Sequence, residues 1–241
     1  MKGYPIAELF SRLKRATRTF GDPMGYQLIA EYGKDPFLIL IACLLSLRAR
    51  DQVTYPVVRK LFTRVRTPQA LSDLSQHDLE QMIRPLGLYH RKAEVLRAVS
   101  RDLIDRYAGK VPATEHELLS LPGVGRKTAN LVLGLGFGIP AICVDVHVHR
   151  IANKLGLVHT KTPEQTERAL MKIIPKAQWL AVNRLFVTWG QHHCRPVSPE
   201  HCAPGCPFSN LCGLVYRPKL GLSEALPSSL KLRRTGRIKE K

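Results

Sequence analysis

The stretch from Leu118 to Ala129 constrains the fold more than any other part of this sequence. It reads Leu-Leu-Ser-Leu-Pro-Gly-Val-Gly-Arg-Lys-Thr-Ala and predicts two helices joined by a tight turn. Gly123 and Gly125 remove side chains where backbone N–H groups must approach another group closely. The second helix begins at the turn, so its unpaired N–H groups favour an anion such as a nucleic-acid phosphate. A plain pair of antiparallel helices with a glycine-rich corner is the alternative interpretation.

The rest of the chain predicts an all-α fold, because long alternating runs of β-branched residues are absent. Turn signals such as Arg66-Thr67-Pro68 separate the helical segments. The expected helices are Ala7–Phe20, Pro36–Leu47, Val53–Val65, Ser75–Ile83, Arg91–Tyr107, Thr114–Leu119, Arg126–Gly134, Val146–Leu155, Pro163–Ile174 and Trp179–His192. Many short helices with short links are typical of an irregular helical bundle.

The charge of the chain indicates a polyanionic partner. Lysine and arginine total 37 against 19 acidic residues, which gives a net charge of +18 and a pI of about 10.0. A surplus of this size on a folded chain favours nucleic acid. Aromatic residues make up only 7% of the sequence, which argues against a platform that binds single strands by stacking.

The sequence favours a cytosolic, nucleoid-associated protein. The longest uncharged run, 128–144, is 17 residues long, too short and too glycine-rich to span a membrane. The first 20 residues carry charges throughout, so they are not a secretory signal. A mitochondrial transit peptide is the weaker alternative to a first folded helix. Thiols in the cytosol stay reduced, so the six cysteines are not interpreted as disulfides.

Two residues near the hairpin are candidates for chemistry. Lys127 lies one turn into the second helix, where it could contact a phosphate or, if burial keeps its amine neutral, act as a nucleophile. Asp145 ends the apolar run Ala141–Val144 and precedes a helix, so its structural role is that of an N-cap. A capping carboxylate that faces a cleft can also stabilise a developing cation or move a proton.

Four cysteines near the C-terminus predict a metal centre. They are spaced C-x7-C-x3-C-x5-C within 19 residues, at Cys194, Cys202, Cys206 and Cys212. Four thiolates in one short segment suit a [4Fe–4S] cluster or a structural zinc, and the spacing alone does not choose between them. Cys43 and Cys143 lie in apolar runs and are expected to be core residues.

Together these motifs resemble the endonuclease III family of base-excision DNA glycosylases, in the helix–hairpin–helix superfamily. The similarity covers roughly residues 5 to 215. It implies a two-lobed helical fold with a C-terminal four-Cys iron–sulfur loop. It also implies that Lys127 is the nucleophile and lyase residue, that Asp145 is the catalytic carboxylate, and that Leu88 fills the gap left by a flipped base. The implied ligands of a [4Fe–4S] cluster are Cys194, Cys202, Cys206 and Cys212. The DNA contacts expected from these assignments are Arg48, Leu88, Gly123, Gly125, Arg126 and Arg195.

The sequence departs from the family pattern at two places. The first two gaps between the cysteines are each one residue longer than is usual in the family. Arg48 stands where the family usually has a glutamine beside the estranged base, so the preference for lesion and opposite base does not transfer. The other branches of the superfamily fit less well: mispaired-adenine and alkylbase glycosylases usually lack the hairpin lysine, and oxoguanine glycosylases generally lack the four cysteines.

The sequence therefore predicts a monomeric, bifunctional DNA glycosylase and abasic-site lyase that acts on double-stranded DNA containing damaged bases or abasic sites. Oxidised pyrimidines are the substrates that the resemblance implies. A glycosylase for thymine or uracil opposite guanine and a non-catalytic DNA-binding protein are the alternatives. The expected domains are 28–138 with the hairpin, 1–27 plus 139–220 with the cluster, and a basic tail at 221–241, which is expected to be disordered.

Overall fold

In a computed structural model, residues 5–194, 206–209 and 212 can be described, and all regular secondary structure in this part of the chain is helical. A π-helical turn, Val132–Gly136, follows α9, and a 3-10 turn, Lys176–Gln178, precedes α12. The α-helices are α1 Ile6–Thr17, α2 Met24–Tyr32, α3 Pro36–Ser46, α4 Asp51–Phe62, α5 Pro68–Asp73, α6 Gln76–Ile83, α7 Tyr89–Tyr107, α8 Glu115–Ser120, α9 Arg126–Leu131, α10 Val146–Lys154, α11 Pro163–Ile173 and α12 Trp179–His192.

The all-α prediction is confirmed, but two helices were not expected from the sequence. The turn signal at Arg66-Thr67-Pro68 is in fact the start of α5: the Thr67 hydroxyl accepts from the Ala70 N–H at 3.1 Å, and proline occupies the first helical position. Helix α2 has almost no charged residues, so it lacks the contrast between faces that predicts a helix.

The helix expected at 126–134 also differs, because it changes from α to π at Val132. Two glycines explain how this turn packs. A Cβ on Gly134 would lie 2.9 Å from Leu180 Cδ2, and one on Gly136 would lie 2.9 Å from Pro36 Cα. The π turn therefore lies in close contact with the start of α3 and with α12, and larger residues would force it away.

The apolar side chains form two separate hydrophobic clusters. The first surrounds α3, whose residues from Phe37 to Leu45 are all buried, and it includes side chains of α4 to α9. The second joins α1 to α10, α11 and α12. Along the sequence, α1 belongs to the second cluster, α2 to α9 belong to the first, and the residues after Ala141 belong to the second again.

Helix α1 shows that the basic, amphipathic N-terminal segment is part of the folded structure. Leu9, Phe10 and Leu13 are buried against the second cluster. Arg184 of α12 makes a bidentate salt bridge to Asp22, in the link between α1 and α2, with both N–O distances at 2.7 Å. None of the helices in the described ranges is long and apolar enough to cross a membrane.

Candidate active site

The hairpin turn between α8 and α9 packs against the core on one side and is exposed to solvent on the other. Leu121 and Val124 are 2% and 7% exposed, so they pin the turn to the first cluster as their apolar side chains suggest. Gly123 has a φ of +72°, and a Cβ there would lie 2.7 Å from Val95 Cγ1. Gly125 is exposed and precedes α9 in extended conformation, and a Cβ at this position would have no neighbour within 4 Å. The turn thus needs glycine at 123 for conformation and offers a bare backbone at 125.

Lys127 is the second residue of α9, and its side chain is exposed. The Cys143 thiol donates a weak hydrogen bond to the Lys127 carbonyl at 3.6 Å. In the sequence analysis, a nucleophilic role of Lys127 was conditional on burial of its amine. In the DNA-free protein Lys127 is not buried. Any desolvation of this amine has to come from a bound substrate.

Asp145 is the N-cap of α10, as its position in the sequence predicts. One carboxylate oxygen, Oδ1, accepts from the backbone N–H groups of His147 and Val148, both at 2.9 Å. The side chain is half-buried, and Oδ2 makes neither of these capping bonds. The cap fixes the carboxylate at the start of the helix while one oxygen stays available for chemistry.

Two asparagines hold the extended segment that leads to Asp145. Asn130, on α9, donates to the Ile142 carbonyl at 3.1 Å, and Asn183, on α12, donates to the Cys143 carbonyl at 3.4 Å. Both asparagines are buried, at 5% and 8% exposure. The segment is thus bonded to the helix of Lys127 on one side and to the second cluster on the other.

These elements bring Lys127 and Asp145 to the same cleft, which encloses about 280 Å³. The residues that line it come from the starts of α9, α10 and α11: Arg126, Lys127, Val144, Asp145, Val146, Pro163, Glu164 and Glu167. Val146, at 69% exposure, is an apolar side chain at its rim. A cleft with one amine, several carboxylates and an apolar rim can bind a sugar and act on it.

Arg126 is held by carboxylates of the protein itself. Its Nε donates to both oxygens of Glu167, at 3.1 and 3.0 Å, and it lies 3.3 Å from Glu115. The hydrogen bonds that Arg126 donates to Glu167 raise the pKa of Arg126 further. These carboxylates compete with a phosphate for the guanidinium, so the expected DNA contact of Arg126 stays a prediction.

His147 lies between the cleft and α12. Burial lowers its pKa, and Arg150 donates to its Nδ1 at 3.1 Å. A Cβ at Gly190 would lie 2.5 Å from the same ring nitrogen, so the ring fits only because α12 has a glycine there. These contacts give His147 a packing and hydrogen-bonding role behind the cleft.

Arg48 and Leu88 share an unusual backbone conformation. Both are exposed and both have a positive φ, 56° for Arg48 and 60° for Leu88. Leu88 is 61% exposed although it is a large apolar residue. Left-handed conformation at residues other than glycine is strained and often marks functional positions.

Sequence reasoning missed several residues that organise this region: Lys92, Asn130, Glu167 and Asn183. Lys92 is only 8% exposed, although lysine is almost never fully buried, and it contacts the loop that carries Arg48. Its place one helical turn after Leu88 is the only sequence signal that could have indicated its role. No periodicity distinguishes the buried asparagines from exposed ones.

The described cysteines of the proposed metal centre lie together at the second cluster. Cys194 and Cys206 pack against it, and Cys194 interacts electrostatically with Cys212. Burial raises the pKa of the Cys194 thiol, whereas Lys154 and Arg150 lower it. Cys202 and Arg195 lie outside the described residues. In the described ranges, no group of three or more side chains forms a metal site.

The surroundings of Cys194 fit an anionic, sulfur-rich group. Arg150 Nε and His193 Nε2 are buried nitrogen atoms with no hydrogen-bond partner in the part of the chain that the structure describes. Phe208, at 1% exposure, stacks edge-on against Trp189 and holds the segment of Cys206 against α12. Arg150 also lowers the pKa of the Cys194 thiol, and cationic and donor groups near thiolates fit an iron–sulfur cluster.

Comparison with known proteins places the chain in a family. Residues 41–176 match the family of HhH-GPD superfamily base excision DNA repair proteins. The chain is 49% identical over 170 residues to endonuclease III of Thermotoga maritima, which covers 70% of this chain and 80% of that protein.

Two solved structures are similar to most of this chain. One is a non-covalent complex of endonuclease III with DNA, and the other is a trapped covalent intermediate of endonuclease III with DNA that contains an estranged adenine. Each is 36% identical to this chain, with a TM-score of 0.76 over 86% of this chain and 94% of the other. The chain therefore belongs to the HhH-GPD superfamily of base excision DNA repair proteins and, within it, to the endonuclease III family.

Proposed function

We propose that this protein is a bifunctional DNA glycosylase and abasic-site lyase whose nucleophile is Lys127. One observation carries the proposal: an exposed amine on the helix after the hairpin and a capped carboxylate, Asp145, line the same cleft. Endonuclease III, the relative at 49% identity, and the trapped covalent complex of such an enzyme with DNA support this assignment.

The first chemical step cleaves the glycosidic bond. The damaged nucleotide is extruded from the duplex, at a cost of a few kcal/mol, so that its sugar reaches the cleft. The lone pair of Lys127 Nζ attacks C1′, and the base leaves with the electron pair of the C1′–N bond and takes up a proton. Asp145 stabilises the positive charge that develops on the sugar, since its Oδ2 is not engaged in the helix cap.

The second step cleaves the strand. After Lys127 loses a proton and the sugar ring opens, C1′ and Nζ form an iminium ion. The iminium withdraws electrons from C2′, so a base can remove a C2′ proton, and the electron pair then expels the 3′ phosphate by β-elimination. Asp145 is the carboxylate of the cleft that we assign to these proton transfers.

Contacts to the DNA backbone come from the hairpin and from basic side chains. The open backbone at Gly123 and Gly125 suits a phosphate, as the exposure of both residues permits. Arg126 can join them only if a phosphate displaces Glu167 or Glu115. Arg195 is proposed as a further contact from the cysteine segment. Leu88 and Arg48 are proposed to occupy the space that the extruded nucleotide leaves.

Oxidised pyrimidines are the proposed substrates, and one observation favours a second candidate. Arg48 is exposed and has only donors, whereas the O6 and N7 atoms of guanine are both acceptors. A lesion or mispaired pyrimidine opposite guanine would therefore be recognised through the opposite base. A phosphate contact is the competing role for this arginine.

The four cysteines are proposed to hold a [4Fe–4S] cluster. Cys194, Cys206 and Cys212 would be three ligands and Cys202 the fourth, and Arg150 and His193 would donate to its sulfur atoms. When bound, such a cluster cross-links its segment and is capable of electron transfer. Its proposed role here is to hold the segment of Arg195 against α12.

The remaining proposals concern the organisation and partners of the chain. The division into 28–138 and 1–27 plus 139–220 is supported by the two hydrophobic clusters, although Met24 already packs with the first. A monomer acting on damaged duplex DNA, located at the nucleoid, agrees with the net charge of +18.

The test is reductive trapping on duplexes that each carry one defined lesion. With borohydride present, wild type should form a covalent protein–DNA adduct and release the base, because the iminium at Lys127 is reduced to a stable amine. Lys127→Ala should form no adduct, and Asp145→Asn should slow base release. Lys172→Ala, which changes an exposed lysine of α11 outside the cleft, is the control and should behave as wild type.

The outcomes separate the candidate functions. An adduct at full yield with Lys127→Ala would show that another group is the nucleophile. Tight binding of wild type to every duplex without base release or adduct would identify a non-catalytic DNA-binding protein. Peptide mapping of the trapped species assigns the modified residue directly.

A further inference from the structure

Lys92 is a buried cation in the first turn of α7. Its Nζ donates to the carbonyl oxygens of Leu47 at 2.6 Å and Leu45 at 2.8 Å, and lies 3.5 Å from that of Leu44. Burial lowers the pKa of Lys92, as expected for an ammonium removed from water. Among the described residues, backbone carbonyls rather than a carboxylate compensate this charge, and burial without such partners would be costly.

The three carbonyls identify one consequence of this arrangement. They belong to the last turn of α3 and to the residue that follows it, where helix carbonyls lack partners within the helix. A cation at this end also interacts favourably with the helix dipole. Lys92 therefore caps α3 from a distance of 45 residues in sequence, and fixes the loop immediately before Arg48.

The backbone of Lys92 makes the second connection. Its N–H donates to the Leu88 carbonyl at 2.9 Å, so the same residue closes the first turn of α7 behind Leu88. Among the described residues other than glycine, a positive φ occurs only at Arg48, Leu88 and Ala108. Lys92 thus joins two of the three strained positions, which are also the two side chains proposed to fill the gap in DNA.

We propose that Lys92 is a positioning residue that couples the Arg48 loop to Leu88, so that the two side chains enter the duplex as one rigid unit. This inference rests on the proposed function. Without a shared anchor, each of the two loops would have to become ordered when DNA binds. A shared anchor orders both loops before binding, so that cost does not fall on the binding step. Base extrusion, rather than the chemistry at Lys127, is the step that the anchor serves.

The test replaces Lys92 with methionine, which keeps the length and apolar stem but removes the donors. Extrusion is followed by the fluorescence of 2-aminopurine placed beside the lesion, and base release is measured in single turnover. We expect base release from a paired lesion to fall about tenfold or more, since extrusion costs a few kcal/mol. Adduct formation at a preformed abasic site should fall by no more than about threefold, because no stacked base has to be removed.

Ser100→Ala is the matched control on the same helix. Ser100 is 0% exposed, about two helical turns after Lys92, and its hydroxyl has no hydrogen-bond partner in the described ranges, so it donates to neither loop there. We expect this variant to extrude and release the base as wild type does. Thermal unfolding of both variants shows how far a change in stability accompanies each result.

A double-mutant cycle separates positioning from a purely structural role. In a Leu88→Gly, Arg48→Ala background, Lys92→Met should reduce base release by no more than about twofold, because the side chains through which it acts are gone. An equal loss in both backgrounds, or an equal loss on paired lesions and abasic sites, would overturn the inference.

A second variant keeps the inference testable if Lys92→Met does not fold. Lys92→Arg retains the charge, but its longer, planar head must displace the loop at Leu47, so extrusion should slow. Wild-type extrusion in Lys92→Arg would refute the proposal. If wild type itself forms no adduct and releases no base, the proposed function fails first; if wild type is active and the Lys92 variants match it, only the inference fails.

Discussion

Replacing Leu88 with glycine should leave the stability of the protein nearly unchanged and lower its glycosylase activity. Replacing most exposed apolar residues changes neither stability nor activity. Replacing most core leucines lowers the stability of the protein. Leu88 differs because it combines a φ of +60° with 61% exposure. Its backbone is strained, and most of its apolar surface contacts water in the DNA-free protein.

The stability change is a difference between opposing contributions. Glycine relieves left-handed strain of about 1–2 kcal/mol, and it costs about 0.5–1 kcal/mol in backbone entropy. A fully buried leucine contributes about 1.5–3 kcal/mol. Because Leu88 is 61% exposed, its remaining contacts contribute about 0.6–1.2 kcal/mol. The free energy of unfolding should therefore stay within about 1.5 kcal/mol of wild type, a change in Tm of a few degrees at this chain length.

The loss of activity follows from the same exposure. If Leu88 fills the gap in the duplex, DNA binding buries the exposed 61% of its side chain. That burial stabilises the extruded state by about 1–2 kcal/mol, which corresponds to a loss of about 5- to 30-fold in base release. Adduct formation at abasic sites should change less, as the gap there exists before binding.

The assay combines thermal unfolding with single-turnover base release, and Ala108→Gly is the matched control. Ala108 has a φ of +51° and is exposed at the end of α7, the opposite end from Leu88. Relief of strain should stabilise this variant by about 0.5–1 kcal/mol, since alanine loses few contacts. Base release should not change. A Leu88→Gly variant that loses more than about 3 kcal/mol, or that retains full base release, would refute the reasoning.

The remaining predictions concern the opposite base, the metal centre and a buried thiol. Wild type should cleave one lesion faster opposite guanine than opposite the other bases, by a preference of about 1–3 kcal/mol, and Arg48→Gln should flatten this preference. A uniform loss at all four opposite bases, with the slope of log affinity against log salt concentration lower by about one, would assign Arg48 to a phosphate contact. Protein purified without oxygen should be brown, absorb broadly near 400 nm and contain about four irons per chain, whereas stoichiometric zinc would contradict the cluster. Cys206→Ser should reduce folding yield and DNA affinity more than the chemical step, measured by trapping under single-turnover conditions. Burial raises the pKa of Cys43 to about 12, so the native protein should resist alkylation of Cys43 at pH 8 and react there only after unfolding, as mass spectrometry of iodoacetamide-treated protein would show.

The sequence predicted the hairpin and its neighbours well because their signals are local. Proline and glycine at the turn, threonine at the start of α8 and Asp145 before α10 each act within a few residues, and each cap is present. Buried Cys43 and Cys143 are confirmed as core residues. Helix α2 was not predicted, because it has almost no charged residues. Without a polar face, its sequence shows no helical periodicity.

The contacts that organise the site could not be predicted, because they join residues far apart in the chain. Lys92 contacts a loop 45 residues earlier, and Glu167 contacts Arg126, 41 residues earlier. A buried lysine and a buried glutamate look like solvated residues of an amphipathic helix in sequence, since only the partner explains why they are inside. The π turn after α9 is likewise decided by the close approach of Pro36 and Leu180 to Gly136 and Gly134.

The division of the core explains how the two catalytic candidates can be both fixed and exposed. Lys127 is carried by α9 of the first cluster, and Asp145 by the start of α10 in the second. Asn130 bonds the segment before Asp145 to α9, so the two backbones are held together while Lys127 stays exposed and Asp145 only half-buried. In the proposed mechanism, a substrate sugar would exclude water from both side chains only after its nucleotide has left the duplex. We expect this requirement to restrict the proposed chemistry to extruded nucleotides.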